Sequence, residues 1–212
     1  PRSTLFPYTT LFRSFMVLVP AVIIGLVLGF GRAWIGKREY RVYDLKAPGL
    51  VLLAFIPQFF IFFLPSTRSI IPDLSASILF VSSLIILIAF SLFNIRKTSF
   101  WPVAAGFLLN TLVILLNGGW MPISPQTIQK ILPVSSTDVM KIGERVGYSK
   151  DILLSAEETR LWFLSDWLTL PEWIHYGVAF SVGDLLIFFG VTWLLWSLGG
   201  KEEESNKENS NE

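Results

Sequence analysis

Apolar residues in this chain come in long runs instead of alternating with polar ones. Five such runs stand out: Phe15 to Gly31, Pro48 to Leu64, Ala76 to Phe93, Pro102 to Leu116 and Gly177 to Leu198. Each is close to the roughly 20 residues that an α-helix needs to cross the hydrocarbon core of a bilayer. The pattern predicts an all-α integral membrane protein. It has a single transmembrane domain over residues 15–200, a bundle of about five helices.

Polar residues inside the runs are few and therefore informative. Pro57 removes a backbone donor, and its neighbour Gln58 needs a partner away from water, so the pair predicts a kink turned toward other helices. Asn110 falls near the middle of the fourth run and Asn117 at its outer end. Ser77, Ser82, Ser83 and Ser91 can bond back to their own helix. Gly25 and Gly29, four apart, let another helix approach closely and are a candidate contact for a membrane-protein partner. One carboxylate, Asp184, enters the last run roughly seven residues, or 10 Å, from its start. An unpaired charge at the centre of a membrane helix costs at least about 2.5 to 3.5 kcal/mol.

Residues 118–176 are too long and too patterned for a plain connector, and they predict a helical outer segment between the fourth and fifth spans. Ser124-Pro125 starts a short helix to Leu132, and Ser136 or Thr137 caps a second that ends at Gly147. Ser155 and Glu158 have capping-box spacing for a third. On that third helix Leu161, Leu164 and Leu168 share a face that Trp162, Phe163 and Trp167 widen, which suits the outer interface or a place over the mouth of the bundle.

Charge then orients the bundle. The loop from Arg32 to Lys46 holds five basic residues against Glu39 and Asp44, and Arg96-Lys97 has no acid beside it. The outer segment carries five basic and seven acidic residues. By the positive-inside rule the two basic loops are cytoplasmic, which places a multi-pass protein in the cell membrane with its N-terminus outside and its C-terminus inside. The polar residues 201–212 read as a disordered tail. Thr4 to Ser14, TLFPYTTLFRS, is the in-frame translation of a widely used sequencing adapter, so residues 1–14 are expected to be foreign. Without them the formal charge moves from +1 to −1, because Arg2 and Arg13 go and no acid does.

Composition excludes several chemistries. The chain is 52% hydrophobic and 16% charged, with no Cys and one His, His175. Thiolate nucleophiles and cysteine-held clusters are ruled out, and neither a metal site nor another cofactor is predicted. No basic stripe is large enough for nucleic acid. The pairs Tyr43-Asp44 and Gly183-Asp184 have the look of intramembrane aspartyl-protease motifs. Asp44, however, falls on the cytoplasmic side, opposite Asp184, so they do not make a dyad.

Three segments, NGGWMPIS, LLSAEETRLWFLSDWLTLP and FSVGDLLIFFG, taken in that order, resemble a bacterial family of small multispan membrane proteins known only as a domain of unknown function. The resemblance covers Met16 to Gly199 and pairs Asn117, Gly118, Pro122, Thr159, Arg160, Asp166, Gly183 and Asp184 with the family's pattern. It implies a membrane location and brings no activity. The candidate polar site is therefore Gln58, Asn110, Asn117, Arg160, Asp166 and Asp184, on the outer half of the bundle. Three readings follow. In the first, these residues form a pocket or relay of a small transporter, channel or accessory subunit. In the second, Arg160 and Asp184 are the working pair of an outer-leaflet enzyme. In the third, the same two residues form a buried salt bridge that only pins the outer segment. Few spans carrying amides and one acid suit binding or passage better than bond breaking, so the sequence leans away from an enzyme.

Overall fold

The computed structural model describes residues 17–41, 44–131, 140–171, 173–174 and 177–200. The expectations for residues 1–14, for a helix start at Ser136 or Thr137 and for the tail 201–212 lie outside these, as does His175. The described chain is mostly helical, and each apolar run becomes a helix: α1 (Leu18–Ile35), α2 (Gly49–Gln58), α4 (Asp73–Phe93), α5 (Phe100–Leu116) and α7 (Val182–Leu198). A four-residue helix, α3 (Pro65–Arg68), leads into α4. Two of these helices, α1 and α4, are long and apolar enough to cross a membrane; α5, α7 and α2 with its extension are shorter apolar helices.

Pro57 does perturb its helix. After Gln58 the chain widens into a π-helical stretch, Phe59–Phe63, as happens where a proline or an inserted residue breaks the regular ladder. Gln58 turns to α4 and donates to the Ser83 hydroxyl at 2.8 Å. Ser83 in turn donates to the Phe80 carbonyl at 2.6 Å. The core beside this joint is Ile61, Phe62, Phe80, Leu84, Val113, Ile114 and Trp120.

Helix α7 is gripped on two sides by glycine contacts. A Cβ at Gly106 of α5 would come within 2.5 Å of the Gly183 carbonyl oxygen, and one at Gly29 of α1 within 2.5 Å of the Leu195 carbonyl oxygen. Gly25 meets the Leu195 side chain in the same way. The close approach predicted for Gly25 and Gly29 is therefore made within the chain. Both glycines are buried there.

The two basic loops share one end of the bundle. Asn94, just after α4, accepts from the Lys46 amide at 2.8 Å and donates to the Lys46 carbonyl at 3.0 Å. The Tyr40 hydroxyl donates to the Leu195 carbonyl at 3.1 Å near the end of α7.

The opposite end carries a small mixed cap, and here the helical expectation fails in part. The first predicted helix exists as α6 (Pro125–Ile131), begun by Ser124, whose hydroxyl accepts from the Thr127 amide at 3.1 Å. Of the second, only residues 140–147 are described, and they form turns and irregular structure instead of a helix end, with Arg145 bridging to Ile152. Instead β1 (Met121–Ile123) pairs in parallel with β2 (Asp151–Leu153), and β3 (Leu168–Thr169) pairs antiparallel with β4 (Ala179–Phe180). The third predicted helix is a single turn. Ser155 and Glu158 do exchange bonds, the Glu158 amide to the Ser155 hydroxyl at 3.3 Å and the Ser155 amide to the Glu158 carboxylate at 3.4 Å. The turn then stops at Leu161, which has φ 56°, before a 3₁₀ turn over Trp162–Leu164.

Candidate functional site

The stop at Leu161 has an identifiable cause. Asn117, just past the end of α5, accepts the Arg160 amide at 2.9 Å and donates to the Arg160 carbonyl at 2.9 Å, with a further bond to Val113 at 2.8 Å. An amide side chain thus takes the two backbone groups of Arg160 that a continuing helix would use. Arg160 contributes its backbone to this joint, and its side chain is exposed.

Asp184 is held differently from the expectation. Residues 179–180 are strand, so α7 begins at Val182 and Asp184 lies in its first turn, not seven residues deep. Ser181 and Asp184 form a reciprocal capping box: the Asp184 amide donates to the Ser181 hydroxyl at 3.0 Å and the Ser181 amide donates to the Asp184 carboxylate at 3.1 Å. A carboxylate here also meets the positive end of the helix dipole. Asn110 completes the set, donating to Asp184 at 2.8 Å and accepting from the Ser181 hydroxyl at 2.8 Å. The expected Arg160–Asp184 salt bridge does not form: the carboxylate is satisfied by Asn110 and Ser181.

Next to this cap lies a buried charged centre in which only Asp166 was expected. Lys150, immediately before β2, contacts the Asp166 carboxylate through its Nζ and stands 3.4 Å from Asp151. Both aspartates are 2% exposed. One carboxylate oxygen of each, Asp151 Oδ1 and Asp166 Oδ1, accepts no hydrogen bond. The backbone fixes the pair, since the Met121 amide donates to the Lys150 carbonyl at 2.9 Å and the Asp166 amide to the Pro122 carbonyl at 3.1 Å. Strand β1 therefore sets Lys150 on one side and Asp166 on the other.

The electrostatics follow from burying one cation among three acids. Burial alone would lower the Lys150 ammonium, but Asp166, Asp151 and Asp184 outweigh it and hold the group above the ordinary lysine range. Burial pushes the Asp166 carboxyl up to about 8; Lys150 opposes the rise, and Asp184 and Asp151 add to it. The Lys150 charge is thus firmly kept, while the acids that surround it compete for too little compensation. Among the described residues no group of three or more acidic or histidine side chains is arranged to hold a metal ion.

The predicted site residues accordingly sort into three places. Gln58 belongs to the α2–α4 joint, Asn117 and the Arg160 backbone to the α5–cap joint, and Asn110 and Asp184 to the start of α7, beside the centre that holds Asp166. Lys150, Asp151 and Ser181 were missed. The available signal was the run KDILL, an acid–base pair before a short apolar stretch, but three residues are too few to announce a strand.

Fold and site together define a mostly helical protein whose apolar helices are closed at one end by a mixed cap with a buried lysine–carboxylate centre. The chain belongs to the family of unknown function DUF5317, which it matches over residues 42–196. That stretch includes every residue of the polar centre and leaves out α1, so the match is shorter than the expected Met16 to Gly199. Neither a curated protein nor a solved structure matches the chain.

Proposed function

We propose that the chain is a five-span membrane protein of the cell membrane, N-terminus outside and C-terminus cytoplasmic. Its outer cap is a proton-responsive element of a small transport, channel or accessory component. Support for the spans comes from an inside-out distribution of side chains. Val27, Leu52, Ile78, Leu115 and Phe189, one from each apolar helix, point outward and are half or more exposed, whereas Ser83, Ser91, Asn110 and Thr111 are buried between helices. So much outward apolar surface on every helix needs a lipid environment or a partner to cover it. Support for the orientation comes from the basic loops, which meet at the end away from the cap.

One observation carries the reading of the cap: a single ammonium contacts Asp166 and stands 3.4 Å from Asp151, with Asp184 also acting on it, while the buried Asp166 Oδ1 accepts no hydrogen bond. An extra proton on Asp166 relieves carboxylate repulsion and turns an unsatisfied acceptor into a donor. The relief acts at the point where the cap meets Asp184 and the first turn of α7, so protonation there biases how the cap sits on the bundle.

Two measurements test this. A reporter active only in the cytoplasm is expected to work when fused after Gly200 and to fail when inserted near Lys150; the reverse pattern rejects the orientation. Tryptophan fluorescence of the detergent-purified protein is expected to show a pH transition around neutrality that Asp166→Asn removes. A flat wild-type profile rejects the proton-responsive cap.

A further inference from the structure

The 3₁₀ turn of the cap divides its side chains into a buried and an outward set. Leu164 is buried in one cluster with Val113, Ile114 and Trp120, and Leu161 packs against it. Trp162, Phe163 and Trp167 point the other way and are 54%, 49% and 41% exposed. Their rings form one patch, the Trp162 centroid lying 6.3 Å from that of Phe163 and 6.1 Å from that of Trp167. The carbonyls behind the patch are paired within the turn. Leu161 accepts from the Leu164 amide at 2.8 Å and Trp162 from the Ser165 amide at 3.0 Å. Phe163 accepts from the Trp167 indole Nε1 at 3.0 Å. The turn packs on α5 and α7, at the end where α5 enters the cap and α7 leaves it. Each of these helices has 17 residues, a rise of about 25 Å against a hydrocarbon core of roughly 30 Å. The aromatic turn adds an apolar tier where both fall short.

We propose that Trp162, Phe163 and Trp167 anchor the cap in the lipid, with the 3₁₀ turn set into the boundary between headgroups and acyl chains of the leaflet on the cap's side. The proposal rests on the membrane reading above. Lipid is the occupant because hydrocarbon offers the backbone no hydrogen bonds, so only carbonyls that are already paired can enter it. The carbonyls of Leu161, Trp162 and Phe163 meet that condition, the last through an indole N–H that is itself satisfied by the same bond. A protein partner is recognised at the rim of a patch by open polar groups, which paired carbonyls do not present. Indole rings, apolar in the body and polar at one edge, favour the level between headgroup and acyl chain. Leu161 sets the level of the turn. Its φ of 56° bends the chain so that the exposed Glu157, Glu158 and Arg160 come before the bend and the rings after it.

The test is the depth of a nitroxide label on the full chain in phosphatidylcholine vesicles. The sequence has no Cys, so one introduced cysteine carries the only label. Collisions with oxygen, which partitions into lipid, are compared with collisions with a water-soluble nickel chelate present on both sides of the bilayer. Phe163→Cys leaves both tryptophans in place, and its label is expected about 5 to 10 Å inside the interface. The label of Glu157→Cys is expected in water. Adding Trp162→Gln to Phe163→Cys should raise the nickel collisions at position 163; an unchanged depth means that the fold alone holds the turn and overturns the anchor. Leu108→Cys, outward on the middle of α5 and 49% exposed, reports on the spans independently. If its label lies in lipid while that at position 163 lies in water, the anchor is overturned and the membrane reading stands. If both lie in water, the membrane reading itself has failed. A label at position 163 shielded from both oxygen and nickel is covered by a second copy of the chain, which overturns lipid as the occupant.

Discussion

The guanidinium of Arg145 lies 4.1 Å from the centre of the Trp120 ring and is almost wholly buried, with a side chain 2% exposed. It donates to the Ser149 carbonyl at 2.6 Å, to the Tyr148 carbonyl at 2.9 Å and to Asp73 at 3.2 Å. One side chain therefore ties the 145–149 turn to the start of α4 and to the aromatic floor of the cap. Arg145→Met should destabilise the protein by about 3 kcal/mol, since two buried carbonyls lose their partner along with the ring contact. Asp73→Asn should cost under about 1 kcal/mol, because Asp73 is half exposed. Thermal or denaturant unfolding in detergent decides between the two; equal losses would show that the ion pair, not the carbonyl bonds, carries the joint.

Asp184 is matched to Asn110, and a double-mutant cycle can measure the match. A hydrogen bond to a charged acceptor contributes about 1.5 to 3 kcal/mol. Asn110→Leu and Asp184→Leu should each destabilise on that scale, and the double variant should lose less than their sum. Arg160→Met should change stability by under about 0.5 kcal/mol, as expected for an exposed side chain away from the joint. A loss at Arg160 comparable with that at Asp184 would reinstate the salt bridge the sequence suggests.

That contrast marks where sequence reasoning works on this chain and where it stops. The helices were legible because a continuous apolar run leaves the backbone few ways to satisfy its polar groups, and an irregular helix at Pro57-Gln58 was legible because proline acts locally, though it takes the form of a π-helical stretch. The capping-box chemistry of Ser155 and Glu158 was legible too, yet it did not predict a helix, because the outcome was set by Asn117, 43 residues away from Arg160. Asp184 was recognised as special but misplaced, since two residues of strand, Ala179–Phe180, delay the start of α7. The centre at Lys150 depends on β1 placing two distant segments side by side. Such a contact has no signature in either segment alone.

The charged centre makes the cap sensitive to pH in a direction that can be worked out. Asp166 is raised from an ordinary 3.8 to about 8 in the folded protein, so between those values the folded state binds more protons than the unfolded one. Stability then falls as pH rises through that window. Lys150 is also raised, from 10.5, so its contribution is fully present below that value and is lost only at more alkaline pH. Unfolding midpoints measured from acid to mildly alkaline pH should therefore drift downward, and Asp166→Asn should flatten the drift. A wild-type profile that rises with pH over the same range contradicts the raised Asp166 carboxyl.

Gly106 and Gly31 are both helical glycines, yet substitution should act on them in opposite directions. A methyl group at Gly106 would press on the Gly183 carbonyl oxygen at 2.5 Å and on Ile187 at 2.7 Å, and the first of these is backbone that cannot turn aside. Gly106→Ala should therefore push α5 and α7 apart and cost about 1 to 3 kcal/mol, the usual penalty for overpacking. A methyl group at Gly31 meets nothing within 4 Å. Gly31→Ala should stabilise α1 by about 0.5 to 1 kcal/mol, through the smaller conformational freedom of alanine in the unfolded chain. Parallel unfolding curves of the two variants check the pair. Because α7 carries Asp184 in its first turn, Gly106→Ala should also weaken the Asn110–Asp184 coupling measured by the cycle above, whereas Gly31→Ala should leave it unchanged. An unaltered coupling in Gly106→Ala would mean that the start of α7 is held by the cap rather than by its packing on α5.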